Sequence, residues 1–268
     1  MTTAQNLNLP QIDLASLVAT GELEACGRMA YRFAHEMGNA TAAVVGNAEL
    51  ISRGVEETSP IYRRASNIVR AMNQVAGLAR RMELCLGHSA HDDRPLNLLE
   101  LCGEAQIESL CKTLPRPLTV SVSLPAALEN LPQPYVSHSR LQIALAALLA
   151  NAADATVDRV AAAALTVAVC ELAAADLAAL LRSPHMTPGS YLAISVSDAG
   201  EGIAAEHLPH IFSPAFSTRM RQTGCGLSDV YGTICRQHGG GIALRTAPGR
   251  GTEVTLYIPA ARPRPASL

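Results

Sequence analysis

Two long apolar seams constrain this chain more than any other feature. From Leu23 onward, Cys26, Ala30, Phe33, Met37, Ala40, Val44 and Ile51 follow at helical steps, with only Asn47 filling a seam position by a polar group. A second run repeats the pattern through Ile61, Ala65, Ile68, Met72, Val75, Ala79, Met82 and Leu86. Alternating steps of three and four place such residues on one face of an α-helix. Between the runs, Ser52-Arg53-Gly54 to Ser59-Pro60 supplies a glycine stop and a proline start. Two helices of about 40 Å each, at the usual rise per residue, therefore fold back as an antiparallel hairpin. A two-helix hairpin with a full seam cannot bury both faces alone. A second copy would complete a four-helix bundle, so a homodimer is expected.

After the stretch His88 to Pro95 the helical period breaks, which marks a linker. The remainder reads as mixed α/β. A helix is expected over Leu98 to Thr113, a half-buried strand over Leu118 to Leu124, and a helix over Leu141 to Ala155. Strands are expected at Thr166 to Cys170 and Tyr191 to Ser197. Ile242 to Thr246 and Glu253 to Ile258 read as a hairpin turned by Pro248-Gly249-Arg250-Gly251. Ala173 to Ser190 reads as a surface elaboration. The expected fold class is thus α plus α/β: a dimerising helical hairpin followed by an α/β sandwich. The expected division is a polar segment over 1–21, the hairpin over 22–90, the α/β domain over 95–260 and a tail over 261–268.

Composition narrows the function classes. Hydrophobic residues make up 49% of the chain but aromatics only 3%, with no Trp, so the core must come from Ala, Leu, Val and Ile. A net charge of −2 without a basic block gives no electrostatic footprint for nucleic acid. No run of about 18 apolar residues is present, so no membrane insertion is expected. Met1 to Pro10 is polar and lacks a signal-peptide core. The seven Cys, odd in number and without a CxxC, read as reduced thiols, and a cytoplasmic location is expected.

Four stretches carry chemistry. Asn151-Ala152-Ala153-Asp154-Ala155, Asp198-Ala199-Gly200-Glu201-Gly202 and Thr223-Gly224-Cys225-Gly226-Leu227 have the order and flanks of one nucleotide pocket. Asn151 ends a helix with almost no other polar side chain, and an unsatisfied buried amide costs about 1–3 kcal/mol, so a metal or ligand is its natural partner. The fourth is His35-Glu36. With Phe33 and Met37 on the seam, His35 takes the outward f position, and Asn39 shares its face one turn on. Glu36 can polarise or deprotonate the imidazole. The HxxH pair His207 and His210 flanks Pro209 without further ligands, so no zinc is expected there. His88, His91, His138, His185 and His238 are expected as surface or capping residues, and Cys225 as a small filler.

These stretches resemble the motifs of the histidine protein kinases of two-component systems. Leu148 to Ala155 is similar to the N box, Val196 to Ile203 to the first glycine box, Ile211 to Arg219 to the F box, and Thr223 to Ser228 to the second glycine box. Phe33-Ala34-His35-Glu36-Met37-Gly38-Asn39 resembles the phosphoacceptor box in its HExxN form. The resemblance runs over residues 25–260 and implies the ATP-binding fold that those kinases share with Hsp90, type II topoisomerases and MutL. It implies ATP and Mg as cofactors, with Asn151 holding Mg through its amide oxygen. Asp198 would accept the adenine amino hydrogen, and Gly200 and Gly202 would let the backbone approach base and sugar. Gly224 and Gly226 would open a helix near Leu227 whose N–H groups favour phosphate. Arg219 and Arg221 would balance triphosphate charge from the lid; Asp154 and Thr223 complete the implied contacts. The bland readings are an Asx turn at Asp198, ordinary turn glycines and solvated lid arginines.

The implied activity is autophosphorylation of His35 from Mg·ATP, then transfer to the aspartate of a response-regulator receiver domain, with Asn39 hinting at a phosphatase activity on that regulator. Two N-box positions depart from the family pattern: Ala147 stands where many relatives carry Asn, and Ile143 where Gln or Glu is common. They leave open a second reading, a non-catalytic phosphotransfer or docking module with a degenerate ATP domain. A chaperone-type or MutL-type clamp would leave His35-Glu36 unexplained. About twenty residues precede the first helix, too few for a sensor domain, so input is expected through a partner or a small molecule.

Overall fold

A computed structural model describes residues 9–56, 58–85, 93–114, 116–156, 161–213, 216 and 226–261. The chain divides into two compact units, Glu24–Ser89 and a second formed by Met1–Leu23 with Ala90–Leu268.

The first unit is a pair of helices, α2 (Thr20–Arg53) and α3 (Pro60–Cys85). Ser59 accepts the Ile61 N–H on its hydroxyl at 3.1 Å, so Ser59-Pro60 acts as cap and first helical residue. The buried face runs through Thr41, Ala48 and Ala65, each at 4% exposure or less. Met37, Val45, Tyr62, Val69 and Met72 are half-buried. Thr41 tolerates burial because its hydroxyl donates to the Met37 carbonyl at 2.6 Å. The larger seam residues lie elsewhere: Phe33, Val44, Ile51, Ile61 and Ile68 are between 43% and 58% exposed. They form a stripe about a fifth of a turn from the small-residue contact. The side chains of Leu23, Cys26, Ala30, His35, Ala79 and Met82 lie outside the described residues.

The second unit begins earlier than a plain polar extension would allow. Strand β1 (Gln11–Ile12) and helix α1 (Leu14–Leu17) precede α2. Leu9, Leu14 and Val18 are buried, Leu14 completely. Next come β2 (Asp93–Pro95), α4 (Leu98–Cys102), α5 (Glu104–Lys112), β3 (Leu118–Ser123), a 3-10 turn (Leu128–Asn130), β4 (Tyr135–Ser137) and α6 (His138–Asp154). They are followed by β5 (Ala161–Leu172), α7 (Ala174–Leu177), β6 (Leu181–Arg182), β7 (Gly189–Asp198), α8 (Gly226–Tyr231), a π-helical turn (Gly232–Gln237), β8 (Gly241–Ala247) and β9 (Gly251–Pro259).

The main sheet runs β1-β8-β9-β7-β5-β3, with β6 also on β8. Among the described residues only β3 and β5 pair in parallel, with α6 in the crossover between them. One sheet face carries Leu165, Val167, Leu192, Ile194, Val196, Ile242, Leu244, Val254, Leu256 and Ile258, all buried in the core. Against it α6 lays Leu141, Ala144, Leu145, Leu148, Leu149, Ala152 and Ala153, the helix-period arc of an otherwise apolar segment.

Three elements differ from their sequence reading. The helix over Leu98 to Thr113 is two helices, because Gly103 adopts an extended ψ of 148°. A Cβ at Gly103 would collide with the Leu99 carbonyl oxygen, so the break needs glycine. Ala173 to Ser190 adds α7 and β6 and buries Leu177, Leu180 and Met186 against Tyr191 and Ala243 in a satellite core. The N-terminal segment extends the same sheet edge, with Gln11 opposite Arg245 and Ile12 opposite Leu244.

Leu14→Ala should cost about 2–5 kcal/mol, as for a fully buried leucine, and urea unfolding of the full chain would register it as a lower midpoint at unchanged slope. Burial pushes the Cys102 thiol up to about 12 and the Cys235 thiol higher still. Both should resist iodoacetamide in native protein at pH 8 and react after denaturation, as read by peptide mass spectrometry.

Candidate functional site

The last turn of α6 is where the first glycine stretch and Gly226 of the second come together. Asn151 sits there, half-buried. Gly226, the first residue of α8, lies over it: a Cβ at 226 would stand 3.7 Å from both Asn151 amide atoms and 3.8 Å from the Ala147 Cβ. A methyl at 226 would thus fit at ordinary contact distance and occupy the space above the amide. From the other side, the first glycine stretch packs backbone to backbone. A Cβ at Gly200 would come within 2.6 Å of the Ala155 carbonyl oxygen, and the Glu201 N–H donates to that oxygen at 3.0 Å.

Asp198 closes β7 beside these contacts, in register between Ala163 of β5 and Thr252 of β9. It is 8% exposed, and its Oδ1 accepts the Gly200 N–H at 2.8 Å, the Asx-turn bond. The loop behind it is buckled to the β8–β9 turn. Gly202 holds a φ of +67°, and a Cβ there would run into the Ala247 carbonyl. The buried Thr246 hydroxyl accepts the Ile203 N–H at 3.0 Å and donates to the Gly251 carbonyl at 3.0 Å. The Gly249 N–H donates to the Glu201 carbonyl at 2.7 Å.

The chain is similar to known proteins. Residues 137–262 match the family of histidine kinase-, DNA gyrase B- and HSP90-like ATPases. The sensor kinase CckA of Brucella abortus is 26% identical over 240 residues, 89% of this chain and 24% of the relative. The sensor histidine kinase ZraS of Escherichia coli is 45% identical over 71 residues, 26% of this chain and 15% of the relative. The chain thus spans about a quarter of CckA and less of ZraS. The full-length structure of ShkA in complex with AMPPNP has the same fold, with a TM-score of 0.54 at 18% identity over 87% of this chain and 45% of ShkA. Residues 137–262 thus carry the ATPase domain of that family, and the chain is similar to a sensor kinase over 89% of its length.

Within that family's domain, the structure distributes the expected residues unevenly. Asn151, Asp198, Gly200, Gly202 and Gly226 are brought together around one helix end. Leu227 follows Gly226 into α8, half-buried and packed on the core. Asp154 carries an ion pair, its Oδ1 at 3.7 Å from the Arg116 guanidinium. Arg219, Arg221, Thr223, Gly224 and Cys225 lie outside the described residues. Glu36 and Asn39 are exposed on α2, in the other unit, and the His35 side chain lies outside the described residues. The rings of His207 and His210 each lie 5.9 Å from the ring of Phe216 in the F box.

Two histidines correct the expectation of surface placement: His138 is 4% exposed and His238 is 1% exposed. His238 Nε2 accepts the Ser137 N–H at 3.0 Å, so its Nδ1 carries the hydrogen and donates to the Thr233 carbonyl at 2.7 Å. This neutral imidazole ties the residue capping α6 to the π-helical turn that follows α8. A sequence scan passes over it because His238 follows Gln237 and precedes Gly239, a setting that looks like a surface turn.

Gly200→Ala should lower stability by about 1–3 kcal/mol, since its new methyl meets backbone that cannot retreat. Gly226→Ala should keep its melting temperature within a few degrees, because its Cβ finds ordinary contact distances. Calorimetry of the two variants side by side reads the contrast.

Proposed function

We propose that this protein binds Mg·ATP at the end of α6, transfers the γ-phosphoryl group to His35, and passes it to a receiver-domain aspartate of a response regulator. The observation that carries the reading is the convergence of Asn151, Asp198, Gly200 and Gly226 on one helical turn, with a glycine on either side of it. That arrangement fits a nucleotide. A carboxylate at a strand end is an acceptor for the adenine amino group, and bare backbone beside it admits a flat base. Asn151 would hold Mg through its amide oxygen, a hard donor, and the ion would offset phosphate charge.

In the transfer itself, a ring nitrogen of His35 attacks the γ-phosphorus as the bond to the β-bridging oxygen breaks. ADP leaves, and the ring proton passes to Glu36 as base. Positioning and charge neutralisation account for most of the rate in phosphoryl transfer. The exposed Glu36 and Asn39 share a helix with His35 and would meet the regulator there; Asn39 would orient water for the reverse, phosphatase role. The exposed Phe33, Val44, Ile51, Ile61 and Ile68 stripe supports pairing with a second copy. The signal would arrive through an upstream partner or a small molecule.

One observation favours the rival reading of a phosphotransfer module. Ala147 lies beside the Gly226 contact and Ile143 is 37% exposed, so two positions that are often polar in relatives offer this site no hydrogen bond.

Incubation with Mg²⁺ and γ-labelled ATP should leave acid-labile, base-stable label on the wild type and none on His35→Ala. Excess Mg·ATP should raise the melting temperature of both, by the stabilisation of about 2.7 kcal/mol expected at a hundredfold excess over Kd. Asp198→Asn and Gly226→Ala should lose most of that rise. No label and no thermal rise in the wild type would transfer the assignment to the phosphotransfer module.

A further inference from the structure

The opposite end of α6 opens on a cavity. It has a volume of about 300 Å³ and is lined by Arg94, Glu100, Gln106, His138, Ser139 and Gln142. All six belong to the second unit. His138 starts α6, thirteen residues before Asn151, which places the cavity about 20 Å along the helix from the candidate nucleotide site. Gln142 stands one turn beyond His138, on the same side of the helix. Pairing of β2 with β4 sets Arg94 opposite Val136, two residues before His138.

His138 is the feature without a role. It is 4% exposed, and among the described residues neither ring nitrogen has a hydrogen-bond partner. The Glu100 carboxylate lies close by, with Oε2 at 3.8 Å from Nε2, beyond hydrogen-bonding distance. Glu100 is already engaged. Its Oε2 meets the Arg94 guanidinium at 2.8 Å, and its Oε1 accepts from the Asn97 amide at 3.1 Å. A buried imidazole left without a partner forfeits the hydrogen bond it would make in water, so an acceptor that reached it would be bound favourably. Arg94 keeps further N–H groups beyond the one on Glu100, and the Gln106 and Gln142 amides add more donors. The positive end of the α6 dipole points the same way.

We propose that this cavity binds a small oxyanion, a carboxylate or a phosphate group, with His138 and Arg94 as its principal donors and Gln106 and Gln142 beside them. Glu100 acts as a positioning residue that holds the Arg94 fork. The charge it shares with Arg94 leaves the positive end of the α6 dipole to set the sign of the site. The volume sits at the lower end of small-molecule pockets, about 300–1,000 Å³, which suits a compact metabolite rather than a nucleotide. A ligand there would grip the N-terminal end of the helix whose C-terminal end carries Asn151.

The test uses the full chain, titrated separately with inorganic phosphate and with malonate against chloride at matched ionic strength, by thermal shift and calorimetry. Saturable stabilisation by either anion is expected in the wild type, and which of them binds names the chemistry. Arg94→Gln and Gln142→Glu, both at solvent-accessible positions, should weaken it at least tenfold while keeping the native melting temperature without ligand. Asp198→Asn should bind the anion as the wild type does, which separates this cavity from the candidate nucleotide site. Stabilisation no greater than that of chloride, or equal binding in Arg94→Gln and Gln142→Glu, would overturn the proposal.

Discussion

Backbone meeting backbone at the last turn of α6 is the contact on which the candidate site depends. A carbonyl oxygen of Ala155 receives the N–H of Glu201 while Gly200 lies against it, and no side chain larger than hydrogen fits between. That approach delivers Asp198 to the helix end and leaves the Asn151 amide facing Gly226. The Thr246 hydroxyl and the Gly249–Glu201 hydrogen bond hold the loop from behind, so the β8–β9 turn supports the site as much as it closes a hairpin. At the far end, His238 fixes the start of the same helix through a single tautomer. The helix is therefore held at both ends by polar contacts and along its length by apolar ones.

The hairpin shows how one apolar pattern can serve two surfaces. Small residues, Thr41, Ala48 and Ala65, form the buried face of the hairpin. The bulkier Phe33, Val44, Ile51, Ile61 and Ile68 remain outside it. Helical periodicity reports an apolar arc without saying which part of it meets which neighbour, since residues at 3.6-residue spacing lie within a fraction of a turn of one another.

Long elements with a strong period were legible in the chain. The helix read over Leu141 to Ala155 lies at His138–Asp154, and the strands at Tyr191 to Ser197, Ile242 to Thr246 and Glu253 to Ile258 are present with longer ends. Elements that owe their state to a neighbour were not. Gln11 and Ile12 form a strand only because β8 offers a free edge, and two residues carry no period to detect. Gly103 breaks a helix that the apolar spacing of its flanks continues through. His238 and His138 are buried by contacts with chain far away in sequence, 101 residues away for the bond between His238 and Ser137.

Sequence by itself determined the kinds of element, their order, and the residue types at the candidate site, because period, glycine placement and motif order are local properties of the chain. Tertiary structure decided which atoms face one another. It set Gly226 over Asn151, Gly200 on Ala155, and a buried imidazole at a cavity on the other end of the same helix. Such pairings depend on the path of the whole sheet, and no local window of sequence contains both partners.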